Sequence, residues 1–119
     1  MLNIEEKVRT IIDALEDVKA ADIVTIDTTK LSPLFERMII ASAQSTRQTK
    51  ALAEHVEEKL RELGETANGI EGGDSGEWVL VDLGDVIVHV MQPAVRAYYN
   101  LEELWGVQHL PRFAARKAG

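Results

Sequence analysis

Trp78-Val79-Leu80-Val81-Asp82-Leu83-Gly84-Asp85-Val86-Ile87-Val88-His89-Val90-Met91 is the stretch on which the fold turns. Two apolar runs, Trp78–Asp82 and Val86–Met91, flank Leu83-Gly84-Asp85, which leaves room only for a tight turn. That spacing predicts an antiparallel hairpin. Upstream, Asn68-Gly69-Ile70-Glu71-Gly72-Gly73-Asp74-Ser75-Gly76 is the most turn-rich segment, with one short strand expected at 68–70 and a loop after it. Downstream, Pro93 suits the first turn of a helix running through Val95 and Tyr99, with Gln92 before it. Leu101-Glu102-Glu103-Leu104-Trp105 then makes a short apolar-faced turn before Gly106.

The amino-terminal half completes the pattern. Ile4, Val8, Ile11, Ile12, Leu15 and Val18 recur at helical spacing between charged residues, an amphipathic helix over 3–19 with Asn3 as its cap. Residues 22–27, Asp22-Ile23-Val24-Thr25-Ile26-Asp27, are β-branched and read as a strand. A loop through Pro33 follows, then Met38-Ile39-Ile40-Ala41, a continuous apolar run of the kind that is covered on both faces. Over 45–63 the helical period returns: Ala53, Val56 and Leu60 form an inward stripe joined by Leu52 and Leu63, Ser45 caps the start and Gly64 ends it. The order α-β-β-α-β-β-β-α predicts a single α/β domain, a mixed five-stranded sheet flanked by helices.

A chain of 119 residues holds one such domain. Twenty acidic and thirteen basic residues leave a net charge of −7. Proteins that grip phosphates concentrate Lys and Arg. Here the basic residues are scattered, apart from Arg112, Arg116 and Lys117, so little or no direct RNA contact is expected and a protein surface is the expected foothold. There is no cysteine, which excludes disulfides and thiolate metal sites. No apolar run approaches the roughly 20 residues of a membrane span, and the acidic start Met1-Leu2-Asn3-Ile4-Glu5-Glu6 is unlike a signal peptide, so a cytoplasmic protein without membrane contact is expected.

Fragments that suggest catalysis fail on physical grounds. Gly73-Asp74-Ser75-Gly76 is similar to the nucleophile loop of trypsin-like proteases, but the chain is too short for their double barrel and Glu77 stands in place of a second glycine. His55, His89 and His109 form no metal-binding spacing. Asp85 and His89, four apart on a strand, would stand about 13 Å from each other. Asp82 and Asp85 flank a turn and would hold Mg²⁺ only beside a phosphate-binding loop, which is lacking. Glu54, Glu57, Glu58 and Glu62 are a solvated helix face. The pattern argues for no enzyme, no cofactor and no metal. What remains is an excess of large apolar groups, Trp78, Tyr98, Tyr99, Leu101, Leu104 and Trp105, rimmed by Glu102, Glu103, Asp82 and Asp85, in the manner of a protein-binding face.

The same residues carry a likeness. Glu71-Gly72, the run from Trp78 to Met91, and Tyr99-Asn100-Leu101-Glu102-Glu103-Leu104-Trp105 together resemble the signature of the Iojap-like ribosomal silencing factors. Met38-Ile39-Ile40-Ala41-Ser42-Ala43-Gln44-Ser45-Thr46-Arg47 is similar to that family's second-strand and helix-start motif, with Ala43 and Gln48 departing from its common Gly and His. The resemblance implies a nucleotidyltransferase-like fold whose catalytic residues are absent. It implies binding to a large-subunit ribosomal protein, the fourteenth (L-fourteen), at the intersubunit face, which blocks the small subunit when nutrients are scarce. It places Trp78, Asp82, Asp85, His89, Tyr99, Leu101, Leu104 and Trp105 on or behind the docking face, within a domain of residues 1–106 followed by a tail, 107–119. In the free protein the same face would suit a homodimer.

Overall fold

The computed structural model describes residues 2–72 and 75–104. Helix α1 (Ile4–Asp17) starts where its sequence provides a cap: the Asn3 side chain accepts from the Glu6 backbone at 2.8 Å, and the Glu6 carboxylate accepts from the Asn3 backbone at 3.1 Å. Two otherwise orphaned donors are satisfied reciprocally. Helix α2 (Thr46–Glu62) is capped by Ser45 and buries Thr49, Leu52, Ala53, Val56 and Leu60. Leu63 is 48% exposed, contrary to the expected stripe, because it is the C-cap residue beyond the last helical turn and the chain reverses at Gly64.

The strands are β1 (Ala21–Asp27), β2 (Arg37–Ser42), β3 (Gly69–Glu71), β4 (Trp78–Asp82) and β5 (Val86–Met91). They form one sheet in the order β1-β2-β5-β4-β3, with β2 and β5 parallel and the other pairs antiparallel. Two short helices follow, α3 (Pro93–Tyr99) and α4 (Leu101–Leu104). The expected mixed five-stranded sheet flanked by helices is the observed architecture.

The hairpin register divides the side chains between two faces. Val79 pairs with Val90 and Val81 with Val88, and these valines meet Ile39, Ala41, Ile11, Leu15, Leu52, Val56 and Leu60 in the main core beneath α1 and α2. On the other face Trp78 pairs with Met91, Leu80 with His89 and Asp82 with Ile87. There Ile26, Met38 and Ile40 form a second, smaller core against which Val24, Phe35 and Leu101 pack. One face is roofed by two long helices; among the described residues, the helices on the other are the seven residues of α3 and the four of α4.

The turn is built for its place. Gly84 has φ +88°, which a two-residue hairpin loop needs at its first central position, and its N–H donates to the Asp82 carboxylate at 2.9 Å. The Asp85 carbonyl accepts from the backbones of Glu36 and Arg37, so the hairpin tip joins the start of β2. Lys7, only 4% exposed, reaches the same tip: its Nζ donates to the Leu83 carbonyl at 2.9 Å and to Asp85 Oδ1 at 2.6 Å, and pairs with Glu65 at 3.2 Å. One buried cation thus ties α1, the hairpin tip and the α2–β3 connection. Lys7→Met keeps the apolar stem but leaves a carbonyl without its donor and two carboxylates without their counter-charge. Unfolding stability measured in urea should fall by about 2–4 kcal/mol, a buried pair being discounted for the partial exposure of Asp85. An unchanged midpoint would show that the tie adds no net stability.

Candidate docking face

The open face of the sheet is organised around Trp78. Its indole N–H donates to His89 Nδ1 at 2.9 Å across the β4–β5 pair. Tyr99, reaching down from α3, sets its ring 4.8 Å from that of Trp78, tilted by 50°. Tyr98 packs edge-on against Tyr99 at 5.0 Å. Such tilted and edge-to-face pairs favour one arrangement of the rings over a loose apolar cluster. Tyr98 and Tyr99 are 81% and 53% exposed, while Trp78 is half-buried beneath them.

His89 is the buried base of this stack. Because Nδ1 accepts from Trp78, the imidazole is neutral with its proton on Nε2. Burial pushes its pKa from the ordinary 6.5 down to about 4. The ring therefore supports Trp78 and does not titrate near neutral pH. Asp85 is not its partner, as the strand spacing requires; that carboxylate belongs to Lys7.

The turn after α3 is held by a residue that the sequence reading passed over. Arg96, 9% exposed, donates from Nε and Nη2 to the two oxygens of Glu102 at 3.2 and 3.0 Å, and from Nη1 to Ser42 Oγ at 2.8 Å. Asn100, in the left-handed conformation at φ 49°, caps α3 and redirects the chain so that Glu102 meets this fork. Glu102, expected as an exposed rim charge, is thereby a clamp with only 15% of its side chain exposed. The clamp presses Leu101 onto the second core and leaves Leu104 74% exposed. The sequence signal for Arg96 was weak: an arginine in a seven-residue helix, six positions from its carboxylate, follows no periodic rule.

The structure thus brings together Trp78, His89 and Tyr99, places Leu101 on the neighbouring second core beside Ile26, Met38 and Ile40, and leaves Leu104 exposed. Asp82 lies on the same sheet face, half-buried, with one oxygen engaged by the turn. Asp85 sits at the hairpin tip, turned to Lys7 and away from the rings. Trp105 lies outside the described residues. Leu31 and Leu34 in the β1–β2 loop, 55% and 80% exposed, are further apolar groups that the reading missed; their isolation beside Pro33, without a periodic partner, was the available signal. Among the described residues, no group of three or more His, Asp or Glu side chains is placed to hold a metal ion, and no helix is long and apolar enough to cross a membrane. The one groove worth noting, about 370 Å³, lies between α1 and β2, lined by Glu5, Val8, Arg9, Ile12 and Arg37, and contains none of these residues.

Comparison with known proteins places this geometry. The family described as "Ribosomal silencing factor during starvation" matches residues 2–118. A protein named ribosomal silencing factor RsfS from Chromobacterium violaceum is 56% identical over 117 residues, covering 98% of this chain and 95% of its own. The chloroplastic protein Iojap of Zea mays is 36% identical over 96 residues, covering 78% of this chain and 40% of its own. A crystal structure of a Chromobacterium violaceum protein, 56% identical, superposes with a TM-score of 0.88 over 92% of this chain and 91% of that one.

The neutral state of His89 has a consequence for stability. Between pH 6.5 and about 4 the unfolded chain takes up a proton on this imidazole and the folded chain does not. Its contribution is therefore fully present above 6.5 and is lost as pH falls towards 4, amounting to about 3 kcal/mol at about 1.4 kcal/mol per tenfold change in proton affinity. His89→Gln keeps an acceptor for Trp78 but cannot titrate, so its urea-unfolding stability should lose less than the parent's over this range. Parallel pH profiles for the two proteins would assign the acid sensitivity to other groups.

Proposed function

The chain belongs to the Iojap-like family of ribosomal silencing factors, and from that premise we propose that it silences ribosomes by docking its open sheet face and α3–α4 turn on the large subunit. The observation that carries the proposal is the exposure of Tyr98, Tyr99 and Leu104, at 81%, 53% and 74%, on consecutive elements built over the Trp78–His89 pair. Solvated monomers seldom leave so much aromatic and aliphatic surface on one short segment. Such rings anchor interfaces when they enter recesses on a partner. In this reading Trp78, His89 and Leu101 hold the face in shape, Tyr98, Tyr99, Leu104 and Trp105 make contact, and Asp82 supplies charge at its margin. Asp85 acts one step back, by fixing the hairpin tip through Lys7.

The partner is a basic ribosomal protein surface, the fourteenth protein of the large subunit, at the face where the small subunit joins. A net charge of −7 favours approach to a Lys- and Arg-rich protein and disfavours direct contact with RNA. The mechanism is steric: the bound domain fills volume that the small subunit needs, and translation stops when nutrients are scarce. The protein does this in the cytoplasm as a binding factor and not as an enzyme. A nucleotide-handling role gains no support from Asp82 and Asp85, whose carboxylates are engaged by Gly84 and Lys7.

Because Tyr98 and Leu104 are exposed, truncating them separates binding from folding. Tyr98→Ala and Leu104→Ala should each leave the melting temperature nearly unchanged and weaken co-sedimentation with isolated large subunits by about 1–3 kcal/mol, roughly fivefold to 150-fold. Small subunits should not bind, and added nucleotide should change nothing. A double variant that sediments with large subunits as the parent does would remove this face from the mechanism; light scattering on the same samples reports whether the face instead pairs two copies.

A further inference from the structure

We propose that the groove beside α1 is a binding site for a small amphipathic carboxylate, an anionic head carried on an apolar chain or ring. Glu5, Val8, Arg9 and Ile12 follow the spacing i, i+3, i+4, i+7 and so share one flank of α1. Arg37, at the start of β2, closes the other side of a space of about 370 Å³. Val8 and Ile12 are half-buried and pack against the main core, which makes the floor apolar. Arg37 lies two residues before Ile39, on the sheet face that the long helices roof, so the groove is on the side opposite the Trp78 face. Both sides of the groove are anchored to the hairpin tip. Lys7, next to Val8, donates to the Leu83 carbonyl, and the Arg37 backbone N–H donates to the Asp85 carbonyl at 3.2 Å. A cleft held by fixed elements binds a ligand without first having to be ordered.

The charge of the groove selects the ligand. A chain of net charge −7 sets two guanidiniums against one carboxylate here. Arg9 is exposed and has no hydrogen bond or ion pair among the described residues, even with Glu5 one turn earlier. The Arg37 side chain is only 21% exposed, and its Nη1 donates to the Glu36 carbonyl at 2.9 Å and stands 3.4 Å from Asp27 Oδ1. That oxygen already accepts from the Thr29 backbone and hydroxyl. Charged pairs bond at about 2.7–2.9 Å, so Asp27 meets the guanidinium only in part. Among the described residues, Nε and Nη2 of Arg37 have no partner, and they form a planar edge of the kind that takes both oxygens of a carboxylate. A cation would meet two like charges, and a neutral apolar molecule would desolvate the guanidiniums without pairing them. At about 30 Å³ per water-sized group, the space holds roughly a dozen non-hydrogen atoms, the size of a medium-chain acyl or aryl carboxylate. An extended peptide is the poorer fit. It would gain backbone bonds by adding to the edge strand β1, whose register breaks between Ala21 and Val24, where Asp22 takes φ 51°.

Sodium octanoate is the probe, titrated into the full-length protein while methyl and amide NMR signals are followed. The Val8 and Ile12 methyl signals should shift and saturate with a Kd of about 1 mM or tighter, which roughly ten non-hydrogen atoms can supply. Signals of Trp78 and Tyr99, on the opposite face, should stay in place. Arg9→Gln, on the exposed helix surface, and Arg37→Gln should each weaken binding about tenfold, the low end for a hydrogen bond to a charged group. Because Arg9 bonds to nothing in the fold, its variant should melt as the parent does and keeps the test valid if Arg37→Gln is unstable. Octanoate that leaves Val8 and Ile12 unmoved overturns the proposal. So does octylamine binding as well as octanoate, which marks apolar affinity without recognition of charge. A trileucine peptide with a free carboxylate that binds more tightly than octanoate and shifts the amides of residues 24–27 overturns it in favour of a strand-adding segment. The site does not rest on the docking reading: no ribosome enters this titration, so its failure leaves that reading intact, and a failed sedimentation assay leaves the groove intact.

Discussion

The register of the β4–β5 hairpin is the constraint from which the rest of the structure follows. Gly84 sets the turn, and the turn sets Leu80 opposite His89 and Val81 opposite Val88. Because side chains alternate with a period of two, a slip of one residue would carry the valines out of the main core and put Trp78, Leu80 and His89 beneath α1 and α2. The helices would then meet an imidazole and an indole in place of Val79, Val81, Val88 and Val90, while the open face would lose the ring stack on which Tyr99 rests.

Around that hairpin, two buried cations do complementary work at opposite ends of the sheet. Lys7 secures the tip to α1, and Arg96 secures the α3–α4 turn to Ser42 at the end of β2. Each is satisfied by several oxygens, which is the condition under which a buried charge is tolerated. Arg96 makes the more directional tie: its planar fork holds both oxygens of Glu102, so a four-residue helix far too short to be stable alone is fixed against the body. Among the described residues the result is asymmetric coverage, since α3 and α4 are too short to roof a five-stranded sheet.

In the proposed docking, that asymmetry is what suits the fold to its role. A sheet with one face sealed by long helices is rigid, and the opposite face can present apolar side chains without endangering the main core. The exposed tyrosines and Leu104 stand on elements that are clamped in place, so the docking proposed for them would cost little conformational freedom. The buried His89 adds to this: kept neutral, it fixes the indole of Trp78 by a hydrogen bond and brings no charge to the face.

The sequence by itself determined the element order, the hairpin with its turn, the caps at Asn3 and Ser45, and the family, because each is a local pattern or an ordered motif: alternation, helical period, a side-chain oxygen three residues before a free N–H. It also located the cluster that the structure shows around Trp78 and Tyr99. Only the tertiary structure decided which of those residues face solvent and which serve the fold. Leu101 and Leu104 are three residues apart on one turn, yet one packs on the second core and the other is open. Asp82 and Asp85 looked alike beside a turn, but the second is bound to a lysine 78 positions away. Arg96, Glu102 and Ser42 meet across three elements. Such pairings depend on how distant segments are brought together, and no spacing along the chain encodes them.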